Sequence, residues 1–123
     1  MADNITITTE FKWVNGTRTS NPTFKSGDEI TGTNKASFTV SATTSWAQVS
    51  FPAAMTSLGW LLLINQDSTN FVEVGHWNGG APSALITLPP GGQCLFKCAA
   101  GTTDLAIKAD TAACDVDIES VED

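Results

Sequence analysis

The chain has 123 residues, of which 41% are hydrophobic and only 15% charged, enough for one domain that buries a core without disulfides. Its formal charge of −7, with six scattered basic residues, argues against nucleic acid or an anionic membrane as partner, because both are bound through Lys and Arg. The longest apolar run, Leu58 to Ile64, is far short of the roughly 20 residues that a membrane helix requires.

Read in chain order, residues 4–14 alternate cleanly. Ile5, Ile7, Thr9, Phe11 and Trp13 fall on one face, and Thr6, Thr8, Glu10, Lys12 and Val14 on the other, as in a strand with one buried side. Asn15-Gly16 is a hairpin signal, although the polar stretch TRTSNPT makes a weak second arm. A turn is predicted at Ser26-Gly27-Asp28. Two strands follow at 37–42 and 45–51, joined tightly at Thr43-Thr44, and then a loop at 52–57. From there the apolar runs 58–65, 70–76, 84–88, 93–98, 104–109 and 112–119 alternate with turn residues at intervals of about 8–12 residues. Five acids after Cys114 predict a strand with a charged solvent face and a mobile acidic end. The pattern predicts an all-β fold: a single antiparallel β-sandwich domain over 1–123, jelly-roll-like, with eight to ten short strands.

Side chains suited to chemistry are few. Extended, Cys94 and Cys98 share a face about 13 Å apart at roughly 3.3 Å per residue, too far to bridge each other. Either could meet Cys114, and all three are read first as reduced, buried thiols. One histidine and three cysteines without paired spacing make a poor zinc set. A catalytic role for His76 would need a nucleophile and an orienting carboxylate close to it in space, and it is read first as a half-exposed loop histidine. Asp110-Thr111-Ala112 resembles an aspartic-protease turn but has too little chain after it to build that enzyme. The oxygen-rich run Asp67–Asn70 lacks the EF-hand pattern and reads as a turn. The thirteen acids form no recognisable glycosidase pair. No catalytic residue, cofactor or metal site is therefore predicted. Trp13, Trp46 and Trp60 fall within strand patterns and are expected in the core. Trp77, between His76 and Asn78 in the Gly-rich loop WNGGAPS, is the exposed candidate, able to anchor a protein contact or stack on a sugar. The N-terminus lacks the features of a secretory signal, so synthesis in a cytoplasm is expected and the sequons at Asn4 and Asn15 carry no weight.

The segments GWLLLINQDSTNFVEVG (59–75) and LITLPPGGQCLFKCAAGTTDLAIKADTAACDVDIES (85–120) resemble the C-terminal half of small structural proteins of tailed bacteriophages. That resemblance implies a non-enzymatic virion protein, a head decoration or cement protein built as a β-sandwich and commonly trimeric. Its partners would be the major capsid protein or other virion proteins, and it would be made in the host cytoplasm. Uncharged Thr, Ser and Asn dominate 17–44, which places the expected docking surface in the N-terminal half, with Arg18 and Phe24 as candidate contacts beside His76, Trp77 and Asn78. The alternatives are a carbohydrate-binding module of a tail or fibre protein, and a head–tail or tail component.

Overall fold

The computed structural model describes residues 3–10, 12–20, 23–30, 32, 34–79 and 82–122. They divide into two compact units, residues 1–31 and 32–123. The first is a β ribbon, here called the arm. It consists of β1 (Asp3–Glu10), β2 (Trp13–Asn15), β3 (Arg18–Ser20) and β4 (Thr23–Ile30). β1 pairs antiparallel with β4 from Asp3↔Ile30 to Glu10↔Thr23, and β2 with β3 from Trp13↔Ser20 to Asn15↔Arg18. Partner numbers add to the same total in both ladders.

The ribbon reverses at Gly16, where φ is +61°; among the described residues no non-glycine has positive φ. Gly16 is thus the first central residue of a two-residue loop, the place that a type II′ turn reserves for glycine. The polar second strand, expected to be weak, pairs along β3 and β4. The turn predicted at Ser26–Asp28 is instead the middle of β4, because cross-strand pairing with β1 outweighs local turn preference.

Among its described residues the second unit holds eight strands: β5 (Lys35–Ala42), β6 (Ala47–Gln48), β7 (Leu58–Asn65), β8 (Val72–Gly75), β9 (Ala84–Leu88), β10 (Gln93–Lys97), β11 (Ala106–Ala109) and β12 (Cys114–Glu122). They form two four-stranded antiparallel sheets in the orders β10-β7-β12-β5 and β6-β11-β8-β9. Lettered B to I along the chain, these are the sheets G-D-I-B and C-H-E-F of a jelly roll, as the strand spacing predicts.

Alternation along each strand decides what lies between the sheets. From one sheet come Leu61, Leu63, Val116 and Ile118, all 0% exposed, with Phe38 and Phe96 packed behind them. From the other come Val72, Val74, Leu88 and Ile107. Phe38 meets Phe51 edge-on, with ring centroids 5.6 Å apart.

Two tryptophans expected in the core are not part of it. Trp60 is half-buried on the outer face of β7, whose neighbours Gly59 and Leu61 point inward, and Trp46 is half-buried before β6, its ring 6.0 Å from the Lys108 ammonium. The side chain of Trp13 lies outside the described residues. The strand predicted at 45–51 shrinks to Ala47–Gln48, since its ladder is the short one with β11.

Polar groups close both ends of the sandwich. Asn65 is fully buried, and its Nδ2 donates to the carbonyls of Asn70 (2.9 Å), Leu88 (3.2 Å) and Pro89 (3.2 Å). Its Oδ1 accepts from Asp67 N at 3.0 Å. At the other end Glu122 is 8% exposed; its carboxylate accepts from Thr56 N at 2.9 Å and Asn34 Nδ2 at 3.1 Å. The predicted mobile acidic end is therefore strand up to Glu122. Glu122→Ala should cost about 2 kcal/mol in urea unfolding, because it strands the Thr56 amide and leaves Asn34 Nδ2 with only its bond to the Ala54 carbonyl; an unchanged midpoint would refute that role for Glu122.

Candidate functional site

The candidate contacts named from the sequence are divided between the two units. His76, Trp77 and Asn78 follow β8 in the second unit; His76 and Asn78 are exposed and Trp77 is half-buried. Arg18 opposes Asn15 beside the turn of the arm, and Phe24 opposes Thr9 within it. The side chains of Arg18 and Phe24 lie outside the described residues.

Loop 76–83 starts at Gly75, where the β8–β9 ladder shifts register. Glycine is required there for space, since a Cβ would run into the Ser83 carbonyl. The chain can therefore fold back tightly and place His76 on the rim of a cleft of about 370 Å³, a volume within the small-molecule range. The walls are Val74, Ile86, Phe96 and Leu105, with Leu85, Lys97, Cys98 and Asp104 around them. The cleft lies where edge strands β9 and β10 of the two sheets come together. Leu85 is 86% exposed at its rim. Sequence reasoning missed it. The signal available was ALITL, a strand with no charge to blunt an edge.

His76, Cys98 and Asp104 all line this cleft. The Asp104 carboxylate is taken up by Gln48 Nε2 and by the Thr103 hydroxyl. Burial pushes the Cys98 thiol above its ordinary value, which disfavours the thiolate. Burial likewise raises Cys94. Cys114 is raised by burial first and then by the Asp67 carboxylate. All three cysteines are free thiols. In the Asp67–Asn70 turn the Asp67 carboxylate accepts from Asn70 N at 2.6 Å and Thr69 N at 2.7 Å, bonds that hold it below its ordinary value. Among the described residues no group of three or more His, Cys, Asp or Glu is placed to hold a metal ion.

A second surface is the outer face of the β10-β7-β12-β5 sheet. Asp115, Asp117 and Glu119 alternate outward along β12, beside half-buried Leu62 and Ile64 of β7 and Leu95 of β10, which is 41% exposed. Register sets Glu119 opposite Leu62 and Asp117 opposite Ile64. Asp117 accepts from Thr39 Oγ1 (2.6 Å) and Gln66 Nε2 (2.6 Å), and Glu119 from Ser37 Oγ (2.7 Å).

Compared with known proteins, the chain matches no family model, no curated protein and no solved structure.

Proposed function

We propose that this chain is a structural protein of a tailed-phage virion, without enzymatic activity, that decorates the head by binding the capsid lattice as a trimer. The observation that carries the reading is the arm. A two-stranded ribbon by itself is marginal in water, and each of its strands keeps one backbone edge outside the hydrogen-bonded pair. Thr6, Thr8, Thr9, Thr23 and Ser26 are exposed along it, side chains that desolvate at low cost when a neighbour is laid against them. Such an element suits a protein that works by contact. A trimer on a local three-fold axis would present three arms at once, so that weak contacts add up to firm attachment.

The test has two parts. Light scattering on the isolated protein should give the mass of three chains, and purified phage heads should carry the protein down on sedimentation. Protein that stays in the supernatant with intact heads, expanded heads and tails alike would overturn the proposal. Binding to a glycan array, abolished by Trp77→Ala, would turn the reading toward carbohydrate recognition. Trp77 is half-buried.

A further inference from the structure

We infer that the cleft between β9 and β10 is a binding site for a small, uncharged aromatic molecule, about the size of two fused rings. The site lies wholly within the second unit, and it stands whether or not the chain binds phage heads.

At this place the core of the sandwich is open. Val74 and Ile86 are partners in the β8–β9 register and supply one wall. Phe96 and Cys98, two residues apart and so on one face of an extended chain, supply another, and Leu105 adds to the lining. All five belong to the core cluster or pack against it. Val74 and Leu105 are buried, yet Ile86, Phe96 and Cys98 are only half-buried. Packed interiors leave few voids larger than a water molecule. A cleft of about 370 Å³ bordered by core side chains therefore offers dispersion contacts that the chain does not itself make. Backbone bonds keep it from collapsing. Cys98 N donates to the Gly59 carbonyl at 2.8 Å, which fixes the Phe96–Cys98 wall on β7, and Leu58 N donates to the Thr102 carbonyl at 2.9 Å, which anchors the segment leading to Leu105.

The lining selects the chemistry of the occupant. Its walls are hydrocarbon and one thiol, so an ion entering there would give up hydration and gain no partner. The Asp104 carboxylate is already engaged by Gln48 Nε2 and the Thr103 hydroxyl. At the roughly 30 Å³ that one water occupies in the liquid, the volume corresponds to about a dozen non-hydrogen atoms. A rigid ring suits the space better than a flexible chain, because Phe96 can pack against its face or edge and no chain torsions are frozen on binding. Leu85, 86% exposed at the rim, would bury apolar surface against the same occupant.

The test is calorimetric titration of the full chain with 2-naphthol, which is uncharged at neutral pH. Binding should saturate at one molecule per chain, and its dissociation constant should change less than about twofold between about 50 mM and 0.5 M salt, since no ion pair is formed. Leu85 and Leu95 are both exposed, so replacing either should leave the fold intact. Leu85→Ser should weaken binding by about tenfold or more, as loss of apolar contact in a small site does. Leu95→Ser, on the outer face of the other sheet, should leave it unchanged. In the native chain, saturating 2-naphthol should slow alkylation of Cys98 by N-ethylmaleimide by about fivefold or more, because the occupant blocks access to the sulfur. Cys94, which does not line the cleft, should react at its former rate. No saturable binding, equal effects of the two leucine substitutions, or a Cys98 that reacts equally fast with and without 2-naphthol would each overturn the inference.

Discussion

Asn65→Ala should lower stability by about 3 kcal/mol, the largest effect expected of any single polar residue in this protein. One amide satisfies three carbonyls, on Asn70, Leu88 and Pro89, and its oxygen holds Asp67 N. Alanine leaves these groups without a partner in a place where the side chain is 0% exposed. Each abandoned group costs about 1–3 kcal/mol, and water can rescue those nearest the surface, which brings the sum to about 3. In a domain of this size the melting temperature should fall by roughly 10 °C or more. Asn65→Asp is nearly isosteric and should be worse at neutral pH, since it sets an acceptor-only carboxylate against three carbonyl oxygens. Burial raises the pKa of such an aspartate in the folded state, so the native state binds more protons than the unfolded one. Stability of this variant should therefore improve as pH falls through that raised pKa, as the protonated acid recovers one donor. Thermal unfolding of native protein and both variants between about pH 4 and 8 tests this. An alanine variant that melts within about 2 °C of the native protein would show that the carbonyls do not depend on Asn65.

Gly75→Ala should cost about 2 kcal/mol through contact alone. The added Cβ meets the Ser83 carbonyl, a backbone atom that can retreat only if loop 76–83 and the start of β9 move with it. Gly91 is the informative control. Its φ is +70°, yet nothing lies within 4 Å of a Cβ placed there, so Gly91→Ala should carry only the backbone strain of about 1 kcal/mol. Urea unfolding should rank the two substitutions in that order. Hydrogen exchange should show faster amides at Leu85–Leu88 in the Gly75 variant and unchanged ones in the Gly91 variant. Equal losses of stability would mean that the tight approach at Gly75 is not what fixes the loop.

Strands with strong apolar patterning are legible to the residue: 58–65 and 84–88 are predicted and observed with the same bounds. The second strand of the arm is not, because its stability comes from a register shared with β1 and not from any periodicity of its own. Trp60 shows a different limit. In LGWLLLIN both faces are apolar, so the pattern cannot say which face turns inward, and the answer depends on β12 and β10 on either side. Polar residues of the interior are equally hidden. Asn65 and Ser120 are 0% and 2% exposed because distant segments supply their partners, and no local signal announces such a match. Of the candidate contacts, His76, Trp77 and Asn78 can be found by composition, while Leu85 and the carboxylate row need the sheet order to become surfaces.

β12 lies between β5 and β7, yet it is made after both. Neither neighbour pairs with the other, so as the ribosome delivers the chain the first sheet lacks its middle until residue 122 is out. At about 5–20 residues per second, β5 waits roughly 4–16 s for its partner strand. Hydrophobic faces of β5 and β7 stay uncovered through that interval, whereas the arm, whose strands are neighbours in sequence, can close at once. Synthesis thus proceeds from an early, locally paired ribbon to a late, all-at-once closure of the sandwich, and a nascent chain halted before β12 is the form most exposed to chaperones and to aggregation.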